Sequence, residues 1–170
     1  MMKWLSLILL VHTSAAIAQD PFCTQLRSVA DQASDGFRNL RGALDATESY
    51  RSAYAFPGAN SCRISESPYT YEFRCSWRYE ADEWDIALAD AKSLADEVAI
   101  CFGKRATDLD REPVSEDDSI RWTSRLGWAG NRLSFEIGAN SFVSRSRSLG
   151  DRRLTSSSLT VRYRRQARRD

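Results

Sequence analysis

The spacing of apolar residues changes its period several times along the chain. From Tyr69 to Glu80, Tyr69, Tyr71, Phe73, Cys75, Trp77 and Tyr79 alternate with Thr70, Glu72, Arg74, Ser76, Arg78 and Glu80. This period of two predicts a strand with one face buried. Just before it, Cys62 and Ile64 alternate with Arg63 and Ser65, and Glu66-Ser67-Pro68 carries turn chemistry. A hairpin turning around Ser67 to Thr70 sets Cys62 opposite Cys75 and Ile64 opposite Phe73, all on one face.

A second hairpin is predicted in SIRWTSRLGWAGNRLSFEIGA, with Gly130-Asn131 as a two-residue turn. Trp122 then opposes Ala139, Leu126 opposes Phe135 and Trp128 opposes Leu133, so that Ile120, Trp122, Leu126, Trp128, Leu133, Phe135 and Ile137 share a face. Near the C-terminus, Leu159, Val161 and Tyr163 alternate with Thr160, Arg162 and Arg164, which predicts a last strand. Between them, NSFVSRSRSLGDRRLTSSS is rich in serine and arginine and reads equally as a hairpin arm or a loop.

Two other segments repeat at helical spacing. Cys23, Leu26, Ala30, Ala33, Phe37, Leu40 and Leu44 recur every three or four residues, predicting one amphipathic helix. Trp84, Ala87, Leu88, Ala91, Leu94, Ala95, Val98 and Cys101 do the same, with Asp82 and Glu83 at the start and Gly103 at the stop. The expected order is helix, hairpin, helix, hairpin, strand. That order is an α+β class: two amphipathic helices packed as a second layer on an antiparallel sheet of about five strands. It hints at two cognate helix-hairpin units, although no sequence repeat is visible between them.

The first residues alter the picture. MMKWLSLILLVHTSAAIAQ has Lys3, an apolar run from Trp4 to Val11, and Ala16 and Ala18 before Gln19, the pattern of a secretory signal peptide cleaved after Ala18. Residues 1–18 are thus assigned to the signal, 19–165 to a single domain, and 166–170 to a basic tail. The Ala-x-Ala site and the preference for Arg over Lys point to a bacterial periplasmic or secreted protein, with no membrane-spanning segment.

In that compartment four cysteines read as two disulfides. The hairpin pairs Cys62 with Cys75. The remaining Cys23 begins one helix and Cys101 ends the other, so antiparallel helices bring them together. No Cys-x-x-Cys spacing supports a zinc or redox site.

Histidine is a further constraint. The only one, His12, lies in the predicted signal, which excludes histidine-assisted serine and cysteine hydrolases and histidine-ligated metal or haem sites from the mature chain. No metal or other cofactor is expected. The carboxylates Asp82, Glu83, Asp85, Asp117 and Asp118 remain as acid/base candidates, but sequence neighbours at a helix start do not provide the facing pair a glycosidase needs. The alternating acids Asp108, Asp110 and Glu112 resemble the front of a calcium loop, yet Pro113 stands where its turn glycine belongs.

Charge is divided along the chain. Residues 80–118 hold 13 acidic against 4 basic residues, a balance of −9, and residues 119–170 hold 12 basic against 3 acidic, a balance of +9. Two surface regions follow: an acidic patch of Asp108, Asp110, Glu112, Glu116, Asp117 and Asp118, and a basic C-terminus of Arg162, Arg164, Arg165, Arg168 and Arg169. The function expected from these elements is non-catalytic binding of another protein or an envelope component, with export arguing against nucleic acid. The alternatives are a carboxylate-dependent envelope hydrolase and anionic-envelope binding through the C-terminal arginines.

Overall fold

The structure, a computed structural model, describes residues 20–103, 111–127, 132–146 and 150–166. The predicted signal peptide, Asp108, Asp110, Trp128, the Gly130-Asn131 turn, Arg168 and Arg169 lie outside the described residues.

Helix α1, Pro21–Asp31, opens on Asp20, whose carboxylate accepts from the Phe22 backbone N–H at 2.9 Å while Pro21 takes the first turn. The predicted continuation to Leu44 does not form. After a 3-10 turn at Ala33–Asp35, Gly36 and Phe37 both adopt the left-handed region, at φ 71° and 57°. Two such residues in succession reverse the chain and drop Phe37 into the core against Phe73, with ring centroids 5.9 Å apart. Gly36 is needed there twice over, since a Cβ would stand 3.0 Å from the Tyr71 ring at a φ that side chains disfavour.

Four strands follow in a meander: β1 Arg41–Ala46, β2 Ser49–Ser52, β3 Ser61–Glu66 and β4 Thr70–Tyr79. Helix α2, Trp84–Cys101, then leads into β5 Val114–Glu116, β6 Ser119–Gly127, β7 Leu133–Ser146 and β8 Gly150–Arg164. All eight form one antiparallel sheet in the order β1-β2-β3-β4-β8-β7-β6-β5. The α+β expectation of about five strands is therefore overturned: the chain is mostly sheet, eight antiparallel strands with only two α-helices. Two features of the chain account for the difference. The Leu40 and Leu44 positions continued a helical period that Gly36 had already broken. The short strands β1, β2 and β5 carry too little alternation to be seen. Of the two forms open to the serine- and arginine-rich stretch, it adopts the hairpin arm, in which β7 runs to Ser146 and β8 returns from Gly150.

Each half of the chain is thus a helix followed by a four-stranded meander, and the last strands of the two meanders, β4 and β8, pair at the centre. Their register runs from Thr70 opposite Arg164 to Tyr79 opposite Thr155. The topology is twofold although the sequence is not.

Both helices lie on one face of the sheet. Phe73, Ile64, Phe135, Ile137, Leu159 and Val161 point toward them and are essentially inaccessible. Helix α2 meets the sheet with Ala87, Ala91 and Ala95, all fully buried, and side chains this small let its backbone sit close to the strands. The expected hairpin pairings hold among the described residues: Cys62 faces Cys75, Ile64 faces Phe73, Trp122 faces Ala139 and Leu126 faces Phe135. Disulfides join Cys62 to Cys75 and Cys23 to Cys101. The second fastens the start of α1 to the end of α2, and Arg27 of α1 reinforces it by donating to the Cys101 carbonyl at 2.6 Å.

By loop-closure entropy the short bridge stabilises by ~3 kcal/mol and the long one by ~4.5 kcal/mol. Urea unfolding of Cys62→Ala/Cys75→Ala and of Cys23→Ala/Cys101→Ala is expected to rank the losses in that order; a larger loss from the hairpin pair would show that the helix-to-helix bridge is slack.

Candidate functional site

The described surface offers two contrasting regions, one on each side of the sheet. The helix-free face is built by pleat alternation: because Cys62, Phe73, Leu159 and Ile137 point inward, their neighbours point out. One cross-strand row of these outward positions reads Ser61, Ser76, Ser158, Gly138, Thr123. Gly138 is a close-approach position, with the site of a missing Cβ 3.1 Å from the Trp122 carbonyl. The row two residues to one side reads Arg63, Arg74, Thr160, Glu136, Arg125. The row two residues to the other side reads Arg78, Ser156, Asn140, Arg121. A floor of small polar residues is thus flanked by arginines whose rows stand about 13 Å apart.

A cavity of about 450 Å³ lies at one end of this floor, lined by Ser61, Arg63, Arg74, Ser76 and Arg78, with Phe142 and Leu154 at its apolar side. Another of about 330 Å³ lies at the other end, where Arg121, Thr123, Arg125 and Glu136 meet Glu112. The arginines differ in what they already hold. Arg63 pairs with Asp45 at 3.0 Å and Arg125 with Glu136 at 2.9 Å. Arg74, Arg78 and Arg121 make no ion pair or side-chain hydrogen bond among the described residues.

The C-terminal arginines are arranged differently from the basic cluster expected. Arg162 bonds Glu72 at 2.6 Å and stands 3.6 Å from Glu136. Arg165 reaches Glu66 at 3.4 Å, donates to the Ser67 carbonyl at 2.9 Å and lies 4.7 Å over the Tyr71 ring. Only Arg164 of the described three has an exposed, uncommitted side chain. The described acidic residues fall at separate places. Glu116, Asp117 and Asp118 form the exposed β5–β6 turn, where Asp118 pairs with Arg145, while Glu112 lies by the smaller cavity. Asp82, Glu83 and Asp85 sit at the start of α2, and the Glu83 carboxylate accepts from the Glu80 N–H at 2.8 Å. Among the described residues no group of three or more His, Cys, Asp or Glu stands placed to hold a metal, and no helix is long and apolar enough to cross a membrane.

The helix side carries the second region, a cleft of about 340 Å³. Phe22, Phe56, Pro57, Trp77 and Leu94 supply its apolar walls, and Tyr79, Asp90, Ser93, Glu97 and Ser157 its polar groups. The Tyr79 hydroxyl donates to Asp90 at 2.9 Å and meets the Ser157 hydroxyl at 3.0 Å. Burial raises its pKa, the Ser157 contact opposes that rise, and the Asp90 carboxylate adds to it. Trp77, on the inward face of its strand as expected, is half-buried, and its indole N–H donates to the Pro57 carbonyl at 3.2 Å. Trp122, by contrast, is a core residue, 2% exposed.

The sequence reading missed most of this cleft, because its parts come from α1, the 53–60 connection, β4, α2 and β8. One signal was present: Asp90, Leu94 and Glu97 occur at helical spacings of four and three, so they share one stripe of α2. Comparison with protein-family models, with curated proteins and with solved structures finds no match, so the chain's own residues carry the functional assignment.

Glu97 has a raised pKa, first from burial and then from the charges of Asp20 and Asp96, while a hydrogen bond from Ser93 works the other way. A carboxylate whose folded pKa exceeds its unfolded value contributes its stability below the unfolded pKa and loses it as pH rises through the folded one. Glu97→Gln should therefore be more stable than the wild type at pH 7, with the gap closing below about pH 4. Urea midpoints at the two pH values test this, and an equal offset at both would refute it.

Proposed function

We propose that the chain is a small secreted or periplasmic, disulfide-stabilised protein that binds an anionic macromolecule without catalysis, using the helix-free face of its sheet. The observation that carries this reading is the set of Arg74, Arg78 and Arg121, set on either side of a small polar floor and left without internal partners. Guanidinium groups that a fold leaves unpaired keep their five donors for an external carboxylate, phosphate or sulfate. Their partially paired neighbours Arg63 and Arg125 extend the positive field along the same rows. Two disulfides suit an oxidising compartment.

The face contributes no helix packing, so its composition is free of the core's demands. An antiparallel sheet facing only water is served by any mixture of polar residues, including balanced charges. Here the described outward rows of β3, β4 and β6 carry arginine but no lysine, and Glu72 and Glu136 are engaged by Arg162 and Arg125.

The hydrolase alternative has less support. Asp82, Glu83 and Asp85 belong to one helix start, and Asp117 and Asp118 to one turn on a different element. Neither set lines the cleft, and the two carboxylates that do, Asp90 and Glu97, stand along one wall. The alternative of a C-terminal arginine cluster loses Arg162 and Arg165 to internal carboxylates.

Heparin and poly-glutamate are suitable polyanion probes. Retention on immobilised heparin should fall steeply between 50 and 200 mM salt, as contacts that release counterions do. The Arg74→Ser/Arg78→Ser/Arg121→Ser variant should lower the salt slope by about three, one per lost contact, whereas Arg164→Ser leaves it nearly unchanged. No retention at low salt, or equal effects of the two variants, would remove the proposal.

A further inference from the structure

The cleft on the helix side has a chemistry opposite to that of the arginine face. Among the described residues its charged lining groups are the carboxylates of Asp90 and Glu97, with no Lys, Arg or His in the lining. Neither carboxylate is ion-paired among the described residues. Its hydrogen-bond donors are largely spent, since the Trp77 N–H is given to Pro57 and the Tyr79 hydroxyl to Asp90. What remains open is acceptor capacity, so a fitting ligand brings donors and positive charge. An anion would meet the like charges of Asp90 and Glu97 there, and a neutral sugar would find few donors for its own oxygens.

The spacing narrows the class. Asp90 and Glu97 are seven residues apart on α2, which puts them on the same stripe about 10 Å apart along the helix axis. Leu94 lies between them on that stripe, and Phe22, Phe56 and Trp77 form other apolar walls of the same cleft. Two anionic ends with an apolar middle match two ammonium groups joined by methylenes. Aromatic rings add favourable contact both with the methylenes and with the cationic ends. The volume, about 340 Å³, suits a small linear molecule.

We propose that this cleft binds an aliphatic diamine or polyamine, one ammonium group at Asp90 and another at Glu97, with the intervening methylenes against Leu94 and the aromatic walls. Asp90 is held for this by the Tyr79 hydroxyl, which Ser157 of the central strand β8 positions in turn. The site is independent of the arginine face, and neither assignment requires the other.

Isothermal titration of the full chain with cadaverine and spermidine tests it, with n-butylamine, magnesium and glucose as comparison ligands. The diamine and the polyamine should bind at least tenfold more tightly than the monoamine, and magnesium and glucose should give no saturable heat. Asp90→Asn and Glu97→Gln should each weaken spermidine binding tenfold or more and bring the diamine near the monoamine. Asp96→Asn removes the same charge from the same helix outside the cleft and should leave the affinity within twofold. Far-UV circular dichroism of each variant separates loss of binding from loss of fold. Equal affinity for monoamine and diamine, or an Asp96→Asn effect as large as that of Glu97→Gln, would reduce the site to general acidity and overturn the proposal. Tight glucose binding would overturn the ligand class.

Discussion

The pairing of β4 with β8 is the constraint on which the other features depend. These strands end the two meanders, are far apart in sequence, and form an uninterrupted antiparallel ladder from Thr70–Arg164 to Tyr79–Thr155. Without it the chain would be two four-stranded sheets, each with a helix and an exposed inner edge. With it, the unpaired edges are displaced outward to β1 and β5, which are short, and β5 is wholly exposed. Closing so long a loop costs entropy, which is offset by the largest buried side chains on either side of the seam: Phe73 opposite Val161 and Cys75 opposite Leu159.

Because the ladder keeps strict alternation across the seam, it also separates chemistry by face. The central inward positions of β3, β4, β8 and β7, such as Ile64, Phe73, Leu159 and Ile137, serve the same core, and the two helices cover it from one side only. The opposite face then receives the residues between them, and the sequence uses those positions for Arg, Ser and Thr. The charge division along the chain is converted into a division in space. The acids Asp85, Asp90, Asp96 and Glu97 lie on α2, and most arginines lie on strands. Among the described ion pairs, Asp118 with Arg145 joins the two charge blocks. Among the described arginines, Arg125 and Arg162 instead find carboxylates on adjacent strands, Glu136 and Glu72, and Arg63 reaches Asp45 two strands away.

Local pattern was a good guide where one period ruled a long segment. The alternation of β4 and of β6–β7, the stripe of α2 and both disulfide pairings were legible, because in each case burial of one face leaves a periodic trace. The 21–44 stretch was misread for a physical reason: Phe37 and Leu40 fit a helical period, but the Asp35-Gly36 pair breaks the backbone, and left-handed φ values at Gly36 and Phe37 deliver the same side chains to the core by another route. Edge strands were illegible because exposure on both sides removes the alternation by which strands are recognised. The cleft was illegible because it depends on five separate elements. Arg74 and Arg78 stood in plain view as outward positions, yet what marks them is their lack of internal partners, and that is a property of the assembled sheet.

The same assembly explains how a domain lacking histidine among its described residues can still present specific surfaces. Proton transfer near neutral pH demands a group whose pKa is tuned to that range. Binding needs only fixed charges whose neighbours leave them unsatisfied, and a rigid frame achieves this by arranging who is paired. Glu72 and Glu136 are engaged by Arg162 and Arg125, and neither stands within ion-pair distance of Arg74 or Arg78. On the other side, the Tyr79 hydroxyl orients Asp90 without neutralising it. Both are cases of a hydrogen-bonding network deciding which charge stays available. The network is held in place by the central ladder, since Glu72, Tyr79, Ser157 and Arg162 all belong to β4 or β8. The elements that keep the fold together are therefore the ones that determine which of its charges face a ligand.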